Sequence, residues 1–205
     1  MIGQDILDRI VRIDAAGEIG TGLFLSFSGR GFILTARHVV AYVHKTQALD
    51  IAGRLWADKI PVVAKFQRES GADIALVEVK CEATWPSISF SIDPSKSFYT
   101  QDVFLFGFPH GAQIETRTQR GRELNPFCKK GIIAQLDGHQ FYVDAPIAKG
   151  FSGGPVFSIS SPSSSDGSNY NLIGVLTHDC PKECGFSSAY SSALVRELLE
   201  EALAS

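Results

Sequence analysis

Several things are scarce in this chain, and each scarcity closes off a class of function. Lys and Arg together number 19 against 22 Asp and Glu, a net charge of −3. Without a basic excess, neither nucleic acid nor an anionic membrane surface is expected as the main partner. No apolar run approaches the roughly 20 residues of a membrane-spanning helix. Met1 to Ile13 has Asp5, Asp8, Arg9 and Arg12 among its apolar residues, which denies it the unbroken apolar core of a secretory signal. On that reading the protein is expected to be cytoplasmic. Cysteine is limited to Cys81, Cys128, Cys180 and Cys184, and a cytosolic chain keeps its thiols reduced. His178 with Cys180 and Cys184 leaves three readings open: free loop thiols, a labile loop disulfide, or zinc. A structural zinc site wants four ligands, and only Cys128 offers itself as the fourth. No metal and no other cofactor is expected, and no internal repeat is visible.

What the chain does have suits one well-filled globular unit. Of 205 residues, 44% are hydrophobic and 20% charged, ordinary values for a buried core of this size. Short apolar runs at 18–27, 30–35, 59–66, 73–80, 102–107, 130–136, 139–145, 154–160 and 171–177 read as strands, divided by turn signals such as Ser28-Gly29 and Asp137-Gly138. Ile2, Ile6, Leu7, Ile10 and Val11 have helical spacing and predict an amphipathic first helix. Leu194, Val195, Leu198 and Leu199 mark one face of a C-terminal helix over 191–204. Residues 81–100, with Pro86 and Pro94, read as a connector, and Ser158 to Asn171 as a serine-rich loop. Arg117, Arg120, Arg122, Lys129 and Lys130 cluster as a solvated basic loop, with an exosite for an acidic partner as the alternative. The fold class is all-β.

Three segments carry chemistry. Gly150-Phe151-Ser152-Gly153-Gly154-Pro155 sets a serine among glycines, which allow dihedrals closed to other residues and let a substrate carbonyl approach. Ordinary turn chemistry would explain that run equally well by itself. Upstream, Thr35-Ala36-Arg37-His38 follows the strand-like Gly31-Phe32-Ile33-Leu34, placing a histidine where a strand ends. Gly71-Ala72-Asp73-Ile74-Ala75-Leu76-Val77 places an aspartate at the mouth of another strand. The order histidine, aspartate, serine, each in a fitting local context, is what raises the serine above a turn residue.

These segments resemble the catalytic motifs of the trypsin/chymotrypsin superfamily, the PA-clan serine peptidases, and are most similar to its bacterial HtrA-type and trypsin-like peptidase domains. Thr35-Ala36-Arg37-His38 resembles the T-A-x-H motif, Asp73-Ile74-Ala75-Leu76 the D-I-A-L motif, and Gly150 to Pro155 the G-x-S-G-G-P motif. Softer matches are Gly20-Thr21-Gly22, Val103 to Pro109 and Leu172 to Val175. The resemblance implies two six-stranded antiparallel β-barrels with short terminal helices: a first barrel at about 14–85, a connector at about 81–100, a second barrel at about 101–190 and a helix at 191–204. It implies a serine endopeptidase with His38 as general base, Asp73 as its orienting acid, Ser152 as nucleophile and the Gly150 and Ser152 amides as the oxyanion hole. A protein or peptide is then the substrate, and a specific intracellular protein the expected target. The alternatives are a catalytically silent two-barrel binding module and an esterase.

Two departures stand out. Phe151 occupies the place where zymogen-type relatives have an aspartate that pairs with a new N-terminal amine, so activation by that ion pair is not expected. Phe151 should instead pack in an apolar pocket, with an activating protein partner or a neighbouring loop setting the oxyanion turn. The specificity pocket is expected between Pro146, Ile147, Ala148 and Lys149 on one side and Leu176, Thr177 and His178 on the other. That lining favours apolar residues first, acidic or amide residues second and basic residues last.

Overall fold

A computed structural model of the protein describes residues 3–44, 47–54, 57–67, 71–80, 90–112, 115–118, 121–159, 169–177 and 185–205. The first barrel is built from β1 (Ile10–Ala15), β2 (Glu18–Phe27), β3 (Arg30–Thr35), β4 (Ala48–Gly53), β5 (Ala57–Gln67) and β6 (Ala75–Val79), closed in the order β1-β2-β3-β6-β5-β4. The second uses β7 (Asp102–Gly107), β10 (Phe127–Asp137), β11 (Gln140–Val143), β12 (Pro155–Ile159), β13 (Tyr170–Thr177) and β14 (Ser187–Ser191), closed as β10-β11-β14-β13-β12-β7. Between β7 and β10 a two-stranded hairpin stands apart, β8 (Glu115–Thr118) and β9 (Gly121–Leu124). Every pairing between named strands is antiparallel, as in β3–β6, where Leu34 faces Leu76 and Thr35 faces Ala75.

The period of two along each strand explains why these segments read as nearly continuous apolar runs. In β3, Ile33 points into the first barrel with Val11, Phe24, Ile51 and Val77. Its neighbours Phe32 and Leu34 point outward, into a cluster that also holds Phe106, Phe157 and Val175 of the second barrel. In β12 the same alternation sends Val156 into the second barrel and Phe157 into the shared cluster. Both faces of the central strands are therefore buried, and the inter-barrel cluster fixes one barrel against the other. Helix α2 (Ser192–Ala204) covers the cluster with Leu194, Val195, Leu198, Leu199 and Ala202. The Ser191 side chain caps it by accepting from Ala193 N at 3.3 Å.

The N-terminus differs from expectation. Helix α1 covers only Gln4–Leu7, and Ile10 and Val11 belong to β1, so the first barrel starts ahead of position 14. The apolar spacing suited a helix, but pairing of Val11 with Gly22 and with Gly53 closes the barrel and prevails. Strands β4, β8, β9 and β14 also lie where no strand was expected, so part of the basic segment is a hairpin rather than a solvated loop. Arg54 fastens that hairpin to the first barrel by donating to Glu123 Oε2 at 2.6 Å, and it also pairs with Asp8 at 3.2 Å. Among the described residues, no helix is long and apolar enough to cross a membrane.

Candidate active site

His38 sits in a 3₁₀ turn, Arg37–Val40, directly after β3. Val39 and Val40 are buried in the first-barrel core and anchor the turn, leaving the imidazole at the barrel rim. Its Nδ1 lies 2.6 Å from Asp73 Oδ2, and its backbone N–H donates to Asp73 Oδ1 at 2.9 Å. A carboxylate can only accept, so Nδ1 carries the proton and Nε2, on the opposite edge of the ring, has a lone pair. Asp73 precedes β6 and is 7% exposed. Burial by itself would raise its pKa. The hydrogen bonds from the His38 ring, the Thr177 hydroxyl and the His38 amide outweigh that and bring it from 3.8 to about 2. The Thr177 bond crosses from the second barrel to the first: Thr177 Oγ1 donates to Asp73 Oδ2 at 2.6 Å.

Ser152 is fully buried on a turn that docks against the segment leading to His38. Its carbonyl accepts from Thr21 N at 2.8 Å. A Cβ on Gly153 would collide with Thr21 O and Thr35 Oγ1, and would lie 2.7 Å from Ala36 N. The Ser152 turn thus meets the first barrel two residues ahead of His38, and only a glycine with φ of +83° permits so close an approach.

The residues before Ser152 form a tight turn. Phe151 N donates to Ala148 O at 3.1 Å, and Gly150 has φ of +101°. Positive φ at the third residue and not the second makes this a type II turn, in which the Lys149–Gly150 peptide is turned over relative to type I. His110 N holds that peptide by donating to Lys149 O at 2.6 Å. A trans peptide directs its N–H opposite to its carbonyl, so the Gly150 N–H points away from His110. His110 itself has φ of 52° and ψ of 24°, a left-handed conformation that costs a non-glycine residue roughly 1–2 kcal/mol. Phe151 O accepts from Gly154 N at 2.8 Å, which sets the Ser152 amide in the same manner.

Phe151 is 1% exposed, packs in the second-barrel core and lies against Gly107. It fills the apolar pocket expected for it, and the neighbouring segment Phe108 to His110 contacts the Lys149–Gly150 turn directly. Of the expected specificity residues, Pro146 is exposed and Ile147 half-buried against the second-barrel core. Ala148 supplies the carbonyl that closes the turn, and Lys149 reaches towards Glu18 with 3.9 Å between the charges. Leu176 belongs to the second-barrel core. Thr177 differs from expectation, since its hydroxyl is committed to Asp73 rather than lining a pocket. His178, Cys180 and Cys184 lie outside the described residues, as does Cys81, whereas Cys128 is a free, exposed thiol. Sequence reasoning missed the structural parts of Thr21, Thr35, Phe108 and His110. Thr21 stands in a quoted Gly-Thr-Gly motif, but nothing in its spacing shows which groups its hydroxyl meets.

The model of the trypsin-like peptidase domain matches residues 20–161, which run from β2 of the first barrel to β12 of the second and include all three motif segments. Among solved structures, Rv3671c from M. tuberculosis H37Rv in an inactive form is similar at 18% identity with a TM-score of 0.66, over 98% of this chain and 89% of that one. Another inactive form of the Rv3671c protease gives 19% identity and a TM-score of 0.63, over 96% and 89%. A serine endoprotease from Yersinia pestis is similar at 19% identity with a TM-score of 0.70, over 97% of this chain and 64% of that one. These likenesses carry the fold. A comparison with curated proteins found no match. With the family model covering more than half of its residues, the chain belongs to the trypsin-like peptidase domain family.

Proposed function

We propose that the protein is a serine endopeptidase with Ser152 as nucleophile, His38 as general base and Asp73 as the group that orients and stabilises the imidazole. The observation that carries this reading is the 2.6 Å pairing of His38 Nδ1 with an Asp73 carboxylate that Thr177 and the His38 amide also hold. A histidine so braced presents Nε2 with a lone pair, the form a weak hydroxyl nucleophile requires.

The steps follow from that arrangement. Ser152 Oγ attacks the scissile carbonyl carbon while its proton passes to His38 Nε2. The Gly150 and Ser152 amides receive the oxyanion, and Asp73 stabilises the imidazolium. Collapse breaks the carbon–nitrogen bond, and the amine leaves with the proton from His38. Water then attacks the acyl-enzyme, giving its proton to His38, which returns it to Ser152 as the acid departs. The half-buried Ile147, beside the Ser152 turn in sequence, supports an apolar residue before the scissile bond, with an intracellular protein as the target.

Comparison of protein N-termini in cells producing wild type and Ser152→Ala tests this directly. New termini that need Ser152, preceded by apolar residues, are expected. Identical termini in both cultures, together with no turnover of peptide libraries, would leave a silent binding module as the better reading.

A further inference from the structure

The turn that bears the oxyanion amides is fastened by a side chain from the other barrel. Thr21, on β2 of the first barrel, is fully buried. Its hydroxyl donates to Gly150 O at 2.6 Å and accepts from Phe108 N at 3.1 Å. Its backbone N–H donates to Ser152 O at 2.8 Å, and its own carbonyl accepts from Thr35 Oγ1 at 2.7 Å. One residue thus links the strand that leads to His38, the nucleophile turn and the segment that carries His110.

We infer that Thr21 is a positioning residue for the oxyanion hole. The carbonyls of Lys149, Gly150, Phe151 and Ser152 all accept hydrogen bonds, from His110 N, Thr21 Oγ1, Gly154 N and Thr21 N in that order. Thr21 supplies two of the four. It also holds Phe108, two residues before His110, and so steadies the donor to Lys149. The turn is kept in its type II form from within the chain, with Phe151 buried where an aspartate would need a freed amine.

The hydroxyl matters apart from packing. A valine at position 21 keeps the shape and the backbone N–H, so Ser152 O keeps its donor. Gly150 O and Phe108 N would each lose a buried partner, which a chain avoids by moving one of them. A shift of Phe108 draws His110 N away from Lys149 O, and the Lys149–Gly150 peptide, no longer held, turns over from type II to type I, which withdraws the Gly150 N–H. Substrate binding would survive that loss, whereas the interaction made only with the oxyanion would not.

This proposal rests on the peptidase reading above, and its test separates the two. Thr21→Val and Thr21→Ser are compared with wild type for kcat, KM and Tm, and both variants are crystallised without ligand. Thr21→Val should lower kcat by roughly 10²-fold, the scale of losing one oxyanion donor, with KM within about threefold. Thr21→Ser should recover most of the rate, and the Lys149–Gly150 peptide should be turned over in Thr21→Val alone. A Thr21→Val protein with unchanged kcat, or one with lowered Tm and an unmoved peptide, would overturn the assignment. Wild type without turnover would count against the peptidase reading only, since the crystal structures still decide whether Thr21 holds the turn.

Discussion

Thr177→Val removes one hydroxyl, at nearly constant shape, from the bond that reaches Asp73 across the cleft. Thr177 is 1% exposed and Asp73 7%, so water cannot replace the lost donor cheaply. A hydrogen bond to a charged group is worth about 1.5–3 kcal/mol, and for a protein of this size each kcal/mol moves Tm by roughly 2–4 °C. The variant should therefore melt roughly 3–12 °C below wild type at pH 7. The acid side gives a second reading. The folded Asp73 has its pKa lowered from 3.8 to about 2. Its contribution is thus complete above pH 3.8 and is lost as pH falls through about 2, and it amounts to roughly 2 kcal/mol. Thr177→Val forfeits part of it, so the gap between the two proteins should be widest at neutral pH and narrow between pH 3.8 and 2. Thermal melts at pH 7, 4 and 2.5 measure both effects. Equal Tm values at pH 7, or a gap that widens in acid, would refute the assignment of Thr177 as the second support of the carboxylate.

Other expectations follow from single contacts. Asp73→Asn should fold yet lose about 10⁴-fold in kcat, the scale known for this change in such triads, read by steady-state kinetics with circular dichroism as the folding control. Phe151→Ala should cost about 3–5 kcal/mol by urea unfolding, as expected for emptying a buried aromatic site, since the ring fills the second-barrel core against Gly107. Arg54→Met removes the cation between Asp8 and Glu123, all three largely buried. It should cost about 3–5 kcal/mol, and a double-mutant cycle with Glu123→Gln should show coupling between the two sites.

The fold class and the three motif segments could be read from the chain because each rests on local pattern. Buried strands such as β3 and β13 carry short apolar runs, Phe32 to Leu34 and Leu172 to Leu176, and glycines mark the turn around Ser152. Strand β1 was obscured because Ile6, Ile10 and Val11 fit a helical face equally well, and only pairing with β2 and β4 decides between the two. Strand β14, Ser-Ser-Ala-Tyr-Ser, is nearly devoid of large apolar residues, yet its Ala189 is fully buried against Leu176. The three motif positions followed from sequence, but the parts of Thr21, Thr177 and His110 did not. Their hydrogen bonds join residues far apart in the chain, and a threonine in a strand has no pattern that names its partner.

Ser152 as nucleophile is tested most directly by mass-spectrometric mapping of a fluorophosphonate adduct on the folded protein. A single labelled residue, Ser152, is expected, with labelling abolished in Ser152→Ala and lost in His38→Ala. An adduct that persists in His38→Ala but disappears in His178→Ala, or no adduct at all on folded wild type, would contradict it.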